Sequence, residues 1–165
     1  MKFDNVLVKK VEGIEMKLHL LHKDKISVIV AGCGRFGSCL ASSLNEKGYD
    51  VTIIDKQEQS FERLNENFSG FQICGDVCDL DTIKYAGVER CAMFIAVTDD
   101  DNTNCMAAQI ANRIFHIDDV YVRLNDPDKE DLLRNTNIKA IYPVRLSELE
   151  FERISSITLG KDYAK

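Results

Sequence analysis

Residues 26–55 read ISVIVAGCGRFGSCLASSLNEKGYDVTIID. The stretch begins as a β-branched apolar run, passes through glycines 32, 34 and 37 at the spacing G-x-G-x-x-G, and continues into a segment with apolar residues four apart. It ends in a second β-branched run closed by Asp55. Strand, glycine turn, helix, strand and terminal acid, in that order, form the opening unit of a dinucleotide-binding fold. Each glycine has its own task. Gly32 allows the tight turn out of the strand, Gly34 lets main chain approach a pyrophosphate, and Gly37 lets the helix lie close to the sheet. The free N–H groups and positive dipole end of the helix then face that phosphate.

Asp55, 18 residues after Gly37, stands where a carboxylate accepts hydrogen bonds from ribose hydroxyls. Its charge disfavours a 2′-phosphate, so NAD or another adenosine nucleotide is expected in preference to NADP. Lys56 beside it weakens that preference only slightly.

The alternation continues beyond this unit. Strands are expected over Ile26–Ala31, Val51–Asp55, Phe71–Cys74, Ala92–Val97, Val120–Leu124 and Lys139–Tyr142, with helical segments between them. Such an α/β pattern predicts a Rossmann-like, doubly wound, parallel six-stranded sheet with helices on both faces. In the first helix the expected apolar stripe is Phe36, Leu40 and Leu44, and in the helix after the fourth strand it is Met106, Ile110 and Ile114. The run DDDNTN at 99–104 supplies capping oxygens for the latter.

Loops at the carboxyl ends of parallel strands line one crevice. Those after the third strand (Gly75, Asp76 and Val77 of GDVCD) and after the fourth (Thr98 and Asp99) therefore join the candidate site. Arg123, at the end of the fifth strand, is expected to face the ligand, because burying a guanidinium without a partner is costly.

Composition narrows the function classes. A chain of 165 residues with 45% apolar side chains suits one domain of 25–165 preceded by a 1–24 extension of no evident role. With 21 basic against 27 acidic residues, a net charge of −6, there is no footprint for nucleic acid. No secretory leader is evident and six scattered cysteines suit a reducing compartment, so a cytoplasmic protein is expected. Cys74 and Cys78 lack a second ligand pair, and no metal site is expected.

The motifs VAGCGRFGSCLASSL, VTIIDKQ, GDVCDLDTIKYAGVERCAMFIAVTDDDNTN, VYVRLNDPD and AIYPVRLSE occur in that order. Together they resemble the N-terminal nucleotide-binding domain of the Trk/Ktr potassium-uptake regulatory subunits, the RCK or KTN family, from about Lys25 to Ile157. The resemblance implies a non-enzymatic protein that binds NAD(H), ATP, ADP or AMP and converts occupancy into the state of a membrane potassium transporter. It implies that Gly32, Cys33, Gly34, Arg35, Phe36 and Gly37 hold phosphates, Asp55 the ribose and Asp76 the adenine. Thr98 and Asp99 would border a distal phosphate or second ribose, and Arg35 would reach a terminal phosphate or a neighbouring subunit. It also implies a homo-oligomer, a dimer or a ring, docked on the cytoplasmic side of its transporter. Two features depart from the pattern: the 1–24 extension, and the C-terminal regulatory subdomain, which has no counterpart before Lys165.

The last helix, expected over Leu146–Ile157, carries an apolar face too wide for packing on one sheet. A second subunit, or residues 1–24, is expected to cover the surplus. The competing reading of the whole chain is an NAD-dependent dehydrogenase or its cofactor domain, which would need a substrate pocket and a proton donor. A redox-responsive transcription factor on the same fold is disfavoured by the negative charge and the lack of a basic recognition helix.

Overall fold

The computed structural model describes residues 25–159, and expectations that fall on residues 1–24 or 160–165 lie outside them. Six parallel strands, β1 (Ser27–Ala31), β2 (Asp50–Asp55), β3 (Phe71–Cys74), β4 (Met93–Ala96), β5 (Asp119–Arg123) and β6 (Lys139–Ile141), form one sheet in the order β3-β2-β1-β4-β5-β6. Every pairing is parallel, and β1 sits between Val51–Ile54 of β2 and Met93–Ala96 of β4. The doubly wound sheet expected from the sequence is therefore present, with strand limits shifted by at most one residue.

Val28, Ile29, Val30 and Ala31 of β1 are all fully buried. A central strand covered on both faces must be apolar at every position rather than at alternate ones, hence the unbroken run in the sequence. Ile29, Ala31, Ile54, Phe94, Val120 and Val122 face one apolar layer. Val28, Val30, Val51, Ile53, Ile95 and Val97 face the other. Helix α1 (Arg35–Glu46) covers the second layer. Helices α2 (Leu80–Tyr85) and α3 (Asp101–Gln109, extended by a π-helical turn at Ile110–Ile114) cover the first. The last helix is α4 (Pro143–Ser155).

Both expected helical stripes are corrected by the packing. In α1 the fully buried positions are Gly37, Ser38, Ala41 and Ser42, with Leu40 and Leu44 half-buried at the flanks and Phe36 exposed. The helix lies so close to the sheet that a Cβ on Gly37 would stand 1.9 Å from the Gly32 carbonyl oxygen, so only small side chains fit the contact line. In α3 only Ile110 of the expected trio is buried. Met106 and Ile114 are exposed, and Asn104, Cys105, Ala107, Ala108 and Ala111 make the contact face. The wider π turn carries Ile114 off that face. Helix α4 buries none of its residues.

Candidate functional site

The strand order reverses between β1 and β4: the chain runs outward through β2 and β3 on one side, and through β5 and β6 on the other. The two crossovers diverge there and leave a crevice beyond the carboxyl ends of the strands. It has a volume of about 820 Å³, within the size range of small-molecule sites.

The first wall is the glycine turn. Gly32 has φ +111°, and its N–H donates to the Ile54 carbonyl at 2.7 Å, turning the chain sharply off β1. A Cβ there would also meet the main chain of Thr98 and Val97 at 2.7–2.9 Å. Gly34 is different. Its φ of −71° suits any residue, and a Cβ built on it meets nothing within 4 Å. The fold makes no demand for glycine at this point, and the open space above it belongs to the crevice.

Asp55 closes the turn from below. Its Oδ2 accepts from the Cys33 N–H at 2.7 Å and its Oδ1 from the Gln57 N–H at 2.9 Å. The carboxylate is thus oriented by two main-chain donors, and it still lines the crevice. Cys33 points away from that space. Its side chain is fully buried in the layer beneath α1, and its thiol donates to the Ser60 carbonyl at 3.2 Å. Burial, then the adjacent Asp55 charge, push the thiol pKa up to about 11.

Of the residues singled out from the sequence, Gly34, Arg35, Phe36, Asp55 and Lys56 line the crevice on this side. Val77, Thr98, Asp99 and Arg123 line it on the others. Gly32, Cys33, Gly37, Gly75 and Asp76 support the walls from outside. Asp76 is held by the Cys78 N–H at 2.9 Å and by Lys56 Nζ at 3.2 Å; these two contacts, in that order, keep its carboxyl below the usual carboxylate range. The Lys56–Asp76 pair thus sits at the rim, both side chains about half exposed.

Thr98 is hydrogen-bonded into the helix behind it. Its N–H and hydroxyl both donate to Oδ1 of the buried Asn104, at 2.8 and 2.7 Å. Asp100 caps α3 by accepting from the Thr103 N–H at 2.7 Å, and hydrogen bonds from Thr103 keep its carboxyl low. Arg123 ends β5 inside the crevice. One Nη donates to Asn125 Oδ1 at 3.2 Å, whereas its Nε is buried with no hydrogen-bond partner in the protein. A buried N–H without an acceptor is unfavourable, and the described residues supply none to this one.

Several wall residues escaped the sequence reading. Gln57, Ser60 and Arg63 come from the segment after β2, whose 3₁₀ turn at Glu58–Arg63 faces the crevice. Arg63 adds a third guanidinium to those of Arg35 and Arg123. Ile141, Pro143 and Leu146 come from the β6–α4 junction. The signal for the first group is position: they follow the carboxyl end of a parallel strand next to the reversal. Among the described residues, no cluster of histidine, cysteine or acidic side chains is arranged to hold a metal ion, and no helix is long and apolar enough to cross a membrane.

The profile of the TrkA-N domain family matches residues 28–143. The Trk system potassium uptake protein TrkA of Streptomyces coelicolor is 36% identical over 118 residues, which make up 72% of this chain and 53% of that protein. A TrkA homolog of Methanothermobacter thermautotrophicus is 29% identical over 128 residues, 77% of this chain and 59% of that one. The chain spans about half the length of the curated relatives it matches. Among solved structures, the TrkA-N domain of the inner membrane protein ybaL from Escherichia coli superposes with a TM-score of 0.68 at 15% identity, covering 82% of this chain and 99% of that one. The GsuK channel bound to NAD superposes at 0.62 and 23% identity, over 81% and 24% of the two chains. The Shewanella denitrificans Kef C-terminal domain in its AMP-bound form gives 0.62 and 22%, over 82% and 83%.

Proposed function

The chain belongs to the TrkA-N domain family, and from that premise we propose that it is a nucleotide-sensing regulatory unit of a potassium uptake system. In this reading an adenosine nucleotide, NAD(H) or one of ATP, ADP and AMP, occupies the crevice. Asp55 takes the ribose. The α1 N-terminus with Gly34 and Arg35 takes the phosphates, and the guanidinium of Arg123 adds its charge to them. The observation that carries the reading is the pairing of an open approach at Gly34 with the guanidinium groups of Arg35, Arg63 and Arg123 on the walls of the same cavity. Relatives named for Trk potassium uptake, and similar folds holding NAD, ADP or AMP, support it.

Occupancy acts by population shift: the nucleotide favours whichever arrangement of subunits binds it more tightly, by no more than the difference in affinity. The exposed apolar face of α4, whose first turn reaches the crevice through Pro143 and Leu146, supports a homo-oligomer as the responding element. A membrane potassium transporter, contacted from the cytoplasmic side, is the proposed receiver.

The dehydrogenase alternative requires a proton donor in the crevice. Among the described residues its walls carry Lys56 and aspartates but no histidine, tyrosine or cysteine, and Lys56 is held at the rim by Asp76, which favours a sensing role over hydride transfer. The test is to denature the purified protein, identify the released small molecules by mass spectrometry, and titrate them back by calorimetry. An adenosine nucleotide with stoichiometric rebinding is expected, together with potassium uptake that depends on the gene. Absence of any nucleotide affinity, or turnover of NADH with small carbonyl compounds, overturns the reading.

A further inference from the structure

Two polar residues three apart in α3, Asp101 and Asn104, are buried to 6% and 0% exposure. Residues at that spacing share one helix face, and this face is otherwise alanine and cysteine. Burial of an amide and a carboxylate in such a layer is costly unless every polar atom is satisfied. Here the hydrogen bonds are all directed at the carboxyl ends of β4 and β5.

The Asn104 amide has one consistent orientation. Its Oδ1 faces two donors of Thr98, the N–H and the hydroxyl, and its Nδ2 donates to the carbonyls of Thr98 and Arg123, each at 3.0 Å. Asp101 receives the N–H of Asn125 at 2.9 and 3.1 Å and that of Asp126 at 2.9 Å. Asn125 in turn accepts from the Arg123 guanidinium. Arg123 is therefore gripped twice: at its carbonyl by Asn104, and at its head through Asn125 by Asp101.

We infer that Asn104 and Asp101 form a clamp that positions Arg123 for a ligand phosphate, with Asn104 at the same time engaging the N–H and hydroxyl of Thr98. The clamp touches no ligand itself; both residues are positioning residues, and their role rests on the nucleotide reading above. Asp55 lies across β1, on β2, and is not part of the network. Disturbing the clamp should therefore weaken the hold on phosphates and spare the hold on the nucleoside.

The test compares ADP and adenosine by calorimetry on the full chain and its variants. Asn104→Asp keeps the shape and the acceptors but replaces the Nδ2 donor with an oxygen facing two carbonyls. It is expected to lower ADP affinity about tenfold while adenosine affinity stays within about twofold. Asp101→Asn, which retains one acceptor, is expected to move the same ratio by about threefold, and it decides the matter if Asn104→Asp does not fold. Equal losses for the two ligands would reduce the clamp to general stability, and unchanged ADP affinity would remove it altogether. Wild-type protein that binds neither ligand rejects the nucleotide reading itself, and this role with it.

Discussion

The main-chain N–H of Cys33 donates to Oδ2 of Asp55 at 2.7 Å, joining the glycine turn to the end of the neighbouring strand across 22 residues of sequence. The acid expected to meet a ribose is also the post that holds the glycine turn in place. Replacing Asp55 by alanine should then act twice. It removes charge-assisted ribose hydrogen bonds of about 1–3 kcal/mol and frees the Cys33 and Gln57 amides, which lowers thermal stability as well. Calorimetry with NAD and ADP, alongside thermal unfolding, checks both effects; undiminished affinity in Asp55→Ala would withdraw the ribose assignment.

The glycines separate ligand demands from fold demands. Gly34→Ala meets no neighbour and keeps an allowed φ, so its cost to folding should stay within about 1 kcal/mol, that of a poorer N-cap residue. Nucleotide affinity, in contrast, should fall markedly. Gly37→Ala drives a Cβ into the Gly32 carbonyl and should destabilise the protein by several times as much. Denaturant titration of the two variants, each with and without ADP, gives the comparison. A Gly34→Ala protein that binds normally would mean the open space is not the phosphate site.

Arg35 lines both the crevice and a second groove between α1 and the segment that follows β2, which it shares with Arg63. Its guanidinium is expected to read the extent of the phosphate chain. Arg35→Ala should weaken ATP or NADH more than AMP, measured as the ratio of dissociation constants. Equal losses for the three ligands would assign Arg35 to packing.

The buried Cys33 thiol predicts an alkaline limb of stability. Because its folded pKa of about 11 lies above the value of a free thiol, the folded state holds this proton more tightly than the unfolded chain does. The contribution is complete below the unfolded pKa and is lost as pH rises from about 9 to 11. Cys33→Ala should flatten this limb of a stability–pH curve. At pH 8, iodoacetamide should modify the exposed Cys39 and Cys74 well before Cys33.

Helix α4 displays Leu149, Phe151 and Ile154 at 45–66% exposure, an apolar face that folding of the described residues leaves in water. Self-association through it predicts an oligomer at tens of micromolar protein and a shift towards monomer in Leu149→Glu or Ile154→Glu. Light scattering decides, and a wild-type monomer with or without nucleotide removes the assembly from the proposal.

Local chemistry made much of this protein legible from its sequence. The turn after β1, the buried centre of the sheet and the spacing from Gly37 to Asp55 follow from φ restrictions, from strand burial on both faces and from the reach of one helix, all of which act between near neighbours in the chain. The buried faces of α1 and α3 were misjudged because a close helix–sheet approach selects small residues. Periodicity in large apolar ones then points at the flanks: Leu40 and Leu44 are half-buried, and Met106 and Ile114 are exposed. Only the tertiary structure decided which side chains meet in the crevice. Arg63, Arg123 and Leu146 come from three separate segments that lie far apart in the chain. They converge on the site because the strand order reverses between β1 and β4, a matter of how the strands pair across the sheet and not of any residue's own preference.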